Sequence, residues 1–279
     1  MEKEFGTRPS QLSLLGTSPA LFVKDIVENA DFDSIFLVGV TPFLFNWLTE
    51  GYFGKGAFAR YHDESPSQWM NTKLHDPLAK NFGFVDEVFS LFEWVDHYLL
   101  IPLKNNAIDN AKVHNGQGWK LGDTFDDRQT DIWAPVEQEG SFDNEQILNF
   151  WRPGIDLDIL KTPEELTGMA QAPVDCFTPL LTQLKARSGD MVFILMPSSG
   201  LYLEQYIFNN YREDLWLPMI TGFDAPALNS MDFPELSTEL EIPEWSHLTR
   251  KSQDDWSKRV YSYIQQAYFN SRNTDIYTV

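Results

Sequence analysis

A single cysteine, Cys176, stands in 279 residues. That excludes an intrachain disulfide and a thiolate metal cluster, and leaves the thiol as a small packing residue. Basic residues are also scarce, with 21 Lys and Arg against 41 Asp and Glu and a formal charge of -20. Such a chain repels phosphate backbones and anionic headgroups, so the reading is no nucleic-acid partner. No run of about 18 uncharged apolar residues occurs, so no membrane-spanning segment is expected. The start, MEKEFGTRPS, lacks the basic and then apolar pattern of a signal peptide, and as given the chain reads as soluble and untargeted. His62, His75, His97 and His114 show no close H-x-x-x-H pairing, so no metal is expected. NGQGWKLG has glycines but neither the G-x-G-x-x-G nor the Walker pattern, nor a strand before it and a helix after it. It reads as a loop, and no cofactor is expected.

Apolar residues make up 43% of the chain and aromatics 14%, enough for a large core, and the expectation is one domain, residues 1–279, with an elaboration. Strand-like and helix-like segments alternate at both ends. QLSLLG is a short apolar run closed by Gly16, and Pro19 then opens a helix with Leu21, Phe22, Ile26 and Ala30 roughly on one face. DSIFLVG is a continuous apolar run, the mark of a parallel strand covered on both faces. VDCFTPLLTQLKARSGD reads as a helix with Gly189 after its basic last turn, MVFILMPSSG as a buried strand ending at Pro197, and LYLEQYIFNNYRE as the following helix. A closing helix places Trp256, Val260, Ile264 and Tyr268 at helical spacing, with Ser252 as its cap. Alternation of this kind predicts an α/β fold, a three-layer sandwich around a mainly parallel sheet.

Residues 42–150 break the rhythm and read as an aromatic-rich helical and loop insertion, or cap, that borders a site. Within it, FGFVDEVFSLFEWVDHYLLIPL contains Asp86, Glu87, Glu93, Asp96 and His97. It fits a helix buried under the cap or at a contact between two copies of the chain, so a homo-oligomer is left open.

The run EIPEWSHLTR, residues 241–250, carries the clearest chemistry. Glu244 lies three residues before His247 on a loop between the last strand and the last helix, where open α/β sheets carry their sites. A carboxylate so placed can turn back and accept a hydrogen bond from one ring nitrogen, leaving the other as a base. An isolated E-x-x-H also brackets ordinary tight turns. Ser198 and Ser199, in MPSSG, have turn chemistry at a strand end on the site side, where they can line a pocket. Ser18 sits between strand and helix, placed to cap the helix.

PEWSHLTRKSQDDWSKRVYSYI resembles the last block of the SGNH/GDSL hydrolase superfamily, especially its acyltransferase-like branches, where an acidic residue and a histidine three apart precede the final helix. QLSLLGTSPALFVKDIVENADFDSIFLVGVTP resembles that fold's second block, intervening helix and third block, with Gly16 and Gly39 in the glycine positions. MVFILMPSSGLYLEQY resembles the late strand and its proline loop, and MDFPEL the strand before the histidine loop. Most of residues 50–150 lie outside the likeness.

The resemblance implies a flavodoxin-like sheet, no cofactor, and a site in which His247 is the base, Glu244 orients it, and a serine attacks an ester. Gly16 and Gly39 would offer oxyanion donors, with Thr41, Ser198 and Ser199 lining the pocket. The third block has Gly39, Val40, Thr41 where the superfamily supplies an asparagine amide. On one alignment LLGTSP is the nucleophile turn and Ser18 the nucleophile. On the other, the first strand and its serine are missing, as they would be in a truncated, N-terminally anchored, extracytoplasmic protein. Two functions therefore stand as expectations. One is an acyl-ester hydrolase or O-acyltransferase acting on an acylated glycan or small ester. The other is an inactive SGNH-like binding or accessory module, for instance in envelope polysaccharide assembly.

Overall fold

In a computed structural model of the chain, which describes residues 11–12, 18–41, 62–81, 121–124, 130–155 and 161–265, the first helix starts where a proline allows it. Pro19 occupies the opening turn of α1 (Pro19–Asn29), where its missing N–H costs nothing. Ser18 is the N-cap, its Oγ accepting from Ala20 N at 3.1 Å. The buried stripe of α1 is Ala20, Val23 and Val27. The sequence reading put Leu21, Phe22, Ile26 and Ala30 there, but the first three are only half-buried and Ala30 is exposed. Apolar residues cover both rows of this helix, so periodicity alone left the rotation about its axis ambiguous. Replacing Ser18 by alanine should cost about 1 kcal/mol, the usual worth of a Ser cap, and Ser18→Asn should recover most of it in urea unfolding. Equal stabilities for all three proteins would show that the cap contributes nothing.

The chain divides into two compact units, residues 1–54 with 121–279 and residues 55–120. In the first, β1 (Ile35–Val40), β4 (Asp190–Leu195) and β5 (Ala227–Asn229) form a parallel sheet in the order β1-β4-β5. The register pairs Ile35 with Asp190 and Val40 with Leu195, and Phe193 with Ala227. A second, antiparallel pair, β2 (Gly122–Thr124) with β3 (Thr130–Ile132), arises where the sequence suggested only loop. The chain is thus α/β, with a small parallel sheet in a largely helical protein.

Alternation along β4 assigns its two faces. Met191, Phe193 and Leu195 pack with α1, with α5 (Pro163–Lys185), with the π-helical turn Arg212–Trp216 and with α7 (Leu217–Phe223). Phe193 stacks on Phe223 at 4.2 Å and meets Phe177 edge-on at 5.4 Å. Val192 and Ile194 face α8 (Pro234–Ser237) and α9 (Arg250–Ile264) through Leu236, Trp256, Val260 and Ile264. Each such side chain contributes roughly 1.5–3 kcal/mol when fully buried. β1 differs from the expected two-sided burial: Val38 and Val40 are buried but Leu37 is 40% exposed, because only its Val38 face meets the larger helical cluster.

Three local readings are corrected. Helix α5 begins eleven residues earlier than expected, at Pro163, with a reciprocal capping box between Thr162 and Glu165. The T-P-E-E signature was available, but Pro173 masked the continuity of a helix that tolerates it. The cap of α9 is Thr249, whose Oγ1 accepts from Ser252 N at 3.3 Å. Ser252 lies in the first turn, where its buried hydroxyl accepts from Glu241 N at 2.8 Å. The strand before the histidine loop is Ala227–Asn229, and MDFPEL instead forms a 3-10 turn, Ser230–Asp232, and α8. Pro234 cannot donate to a ladder, which favours a helix start. Arg212 holds that turn by a two-pronged contact with Asp232, Nε to Oδ1 at 2.7 Å and Nη2 to Oδ2 at 3.1 Å.

Residues 121–150, the end of the stretch read as insertion, and the residues up to 155 that follow it fall in the first unit. They form β2, β3, α3 (Ala134–Glu137) and α4 (Phe142–Trp151). In the second unit the described helix is α2 (Pro66–Asn81), with Ser65 and Gln68 hydrogen-bonding each other's backbone N–H. Its Trp69, Met70, Leu74 and Leu78 are exposed, with Lys73 Nζ 6.0 Å from the Trp69 ring. The apolar run 84–103, Tyr268 and Gly16 lie outside the described residues. Among the described residues no helix is long and apolar enough to cross a membrane.

Candidate active site

The loop beyond the carboxyl end of β4 meets the Glu244–His247 run. Met196 N donates to Val40 O at 2.8 Å, closing the β1–β4 ladder just before Pro197. The next turn then meets the histidine loop backbone to backbone. Ser199 N donates to Trp245 O at 3.1 Å and Ser199 Oγ to Ile242 O at 2.7 Å. Ser198 is buried, its hydroxyl 3.8 Å from Met231 Sδ. Gly39 and Thr41 flank the end of β1, and a Cβ at Gly39 would lie 3.5 Å from Met196 Sδ. These residues share one edge of the sheet, as a site built from strand-end loops requires.

Within the loop, Glu244 is fully buried while the His247 side chain is 45% exposed. His247 Nδ1 lies 2.8 Å from Glu244 Oε1. The same oxygen takes the backbone N–H of His247 and that of Ser246, the latter at 3.3 Å. Glu244 Oε2 accepts from Trp151 Nε1 at 2.8 Å and from Ser246 Oγ at 2.9 Å. A buried carboxylate is tolerable only when its lone pairs are filled, and here both oxygens are met by donors. Ser246 Oγ also lies 2.9 Å from His247 Nδ1. The negative charge extends to Tyr202, whose phenol is pushed above its usual range, first by burial and then by Glu244.

The segment 130–151 seats the loop. Asn144, fully buried, donates from its amide to Pro243 O and to Val136 O, both at 3.0 Å. At the far side of the loop Arg250 Nη2 reaches Asp131 Oδ2 at 2.8 Å, Arg250 N donates to Glu137 Oε1 at 2.7 Å, and Gln253 Nε2 donates to Thr130 O at 3.2 Å. Trp245 takes a left-handed φ of 77° and lies over Gly200, which opens α6 (Gly200–Phe208) at a φ of 49°. Its ring is flanked by Tyr202 at 5.9 Å and by the Arg152 guanidinium at 5.9 Å.

The structure therefore ties Ser199, with Ser198 beside it, to the loop of Glu244 and His247, and places Gly39 and Thr41 at the end of β1, the strand that pairs with β4. Ser18 caps the N-terminus of α1. Arg187 Nη1 donates to Ala30 O, tying the end of α1 to the turn before β4, and Ser18 stands at the opposite end of that helix, about 16 Å away. No hydrogen bond joins Ser18 to His247, whose partners among the described residues are Glu244 and Ser246. Sequence reasoning missed Trp151, Asn144 and Ser246. The first two are 93 and 99 residues from the loop atoms they hold, with no spacing signal to expose them. Among the described residues no group of three or more His, Cys, Asp or Glu could hold a metal ion. Compared with protein-family models, curated proteins and solved structures, the chain matches none, so the chemistry of this site is argued from its own geometry.

Proposed function

We propose that the chain carries an SGNH-like acyl-ester site, hydrolase or O-acyltransferase, on a three-layer, flavodoxin-like α/β scaffold. The observation that carries the reading is the pairing of a fully buried Glu244 with a half-exposed His247 at the carboxyl edge of a parallel sheet. If Nδ1 carries the proton and donates it to Glu244, Nε2 is left with its lone pair toward solvent. In the reaction a serine hydroxyl gives its proton to His247 Nε2 as its oxygen bonds to the acyl carbon. The imidazolium then returns that proton to the departing alkoxide. Water or an acceptor hydroxyl releases the acyl group by the reverse path. Backbone N–H groups near Gly16 and Gly39 would serve the oxyanion. The substrate class proposed is an O-acylated glycan or a small ester. The candidate serine in this chain is Ser18.

One observation favours a second reading, an SGNH-like binding or accessory module without turnover: Ser18 is 4% exposed and its oxygen is engaged as a helix cap. A fluorophosphonate probe separates the two. The proposed site labels at a serine and hydrolyses short-chain nitrophenyl esters, and both activities disappear in His247→Ala. That variant should keep its fold, losing about 1 kcal/mol or less, a Tm shift of about 2–4 °C. Glu244 retains four donors after the substitution: Trp151 Nε1–H, the Ser246 N–H and O–H, and the residue 247 backbone N–H. A native protein that neither labels nor turns over ester favours the binding module.

A further inference from the structure

We propose that Trp151 is a positioning residue for His247, acting through the Glu244 carboxylate; this rests on the reading of His247 as a base. Helix α4 holds two consecutive loop residues from points two turns apart: Asn144 takes the Pro243 carbonyl and Trp151 takes the Glu244 side chain. One rigid element thus fixes both the backbone entering the pair and the carboxylate itself.

The division of labour between the two oxygens gives Trp151 its role. Oε1 faces His247 Nδ1 and accepts from the backbone N–H groups of Ser246 and His247, whereas Oε2 is held by the indole N–H and the Ser246 hydroxyl. The indole N–H is a donor with no acceptor capacity and only one direction, so it fixes the carboxylate plane. Ser246 cannot do this alone. Its hydroxyl stands within 3.2 Å of both carboxylate oxygens and 2.9 Å from Nδ1. It can donate to Glu244, or it can turn and donate to Nδ1, which would then be an acceptor and force the proton onto Nε2. With Oε2 pinned by Trp151, Oε1 stays in front of Nδ1 and the Nδ1–H tautomer is the one that donates to it. Without that pin the carboxylate pivots about Oε1, which keeps its two backbone N–H contacts, Ser246 turns to donate to Nδ1, and Nε2 carries the proton that would disqualify it as a base.

The test reads the tautomer directly, by long-range nitrogen-15 correlation spectra of the full chain, with the His247 ring assigned by difference from His247→Ala. Two changes at position 151 are compared, Trp151→Phe and the thianaphthenyl analogue, in which sulfur replaces the indole N–H and the shape is kept. The native protein is expected to show Nδ1–H, and both variants a shift of His247 toward Nε2–H with an unchanged far-ultraviolet spectrum. Ester turnover would then fall about tenfold to a hundredfold in kcat with KM unchanged, the usual penalty for a misplaced catalytic group. Retention of Nδ1–H in the sulfur analogue overturns the proposal, whatever happens to Trp151→Phe. A tautomer shift in a protein whose native form has no ester turnover supports the positioning role and removes the esterase reading.

Discussion

Glu244→Ala should destabilise the protein by about 3 kcal/mol, because it removes the acceptor from a cluster of donors inside the fold. Glu244 is fully buried, takes hydrogen bonds from Trp151 Nε1, from the backbone N–H of Ser246 and His247 and from Ser246 Oγ, and lies 2.8 Å from His247 Nδ1. Solvent at the exposed histidine can satisfy some of these groups, but the donors aimed into the loop would be left without partners. The loss exceeds that of His247→Ala, so the two members of the pair should separate cleanly in denaturant unfolding. Glu244→Gln is the sharper control. Its amide offers one oxygen, so Oε1 or Oε2 becomes an NH2 facing donors, and the cost should be about 2 kcal/mol. Unfolding curves that superimpose for native, Glu244→Ala and Glu244→Gln proteins would show that this loop is not held by its carboxylate.

Gly200→Ala should cost about 3 kcal/mol, a Tm drop of roughly 6–12 °C, through steric overlap and backbone strain together. A Cβ at this position would stand 2.2 Å from Trp245 Cδ1 and 2.3 Å from Nε1, and the backbone there has a φ of 49°. The indole cannot simply swing away. Trp245 N donates to Ile242 O at 3.3 Å, its carbonyl accepts from Ser199 N at 3.1 Å, and its ring lies between Tyr202 and Arg152. Displacing it would disturb the residue between Glu244 and Ser246, so any ester turnover should fall with stability. Trp245→Ala in the Gly200→Ala background should recover part of the loss, because the clash vanishes while the left-handed backbone persists. Strictly additive effects in that double-mutant cycle would place the strain elsewhere.

What the sequence by itself determined is what depends on near neighbours. Trp256, Val260 and Ile264 at helical spacing are the buried face of α9, and the apolar run at Met191–Leu195 is a strand covered on both sides. Ser18 ahead of Pro19 is a helix cap. The contact between Glu244 and His247 spans three residues, so loop geometry alone can close it. The rotation of α1 was not decided locally, since apolar residues line more than one of its rows and only packing against α5 and the sheet selects Ala20, Val23 and Val27. Nor was the environment of the pair. Whether Glu244 is a solvated turn residue or a buried anion depends on α4 arriving from 93 residues away with an indole N–H, on Asn144 taking Pro243 O, and on Gly200 leaving room for Trp245. Hydrogen bonds and steric vacancies between distant segments leave no period in a sequence. The chain encodes the pair in four residues, and only the tertiary structure supplies the low-dielectric, donor-lined pocket in which such a pair can act.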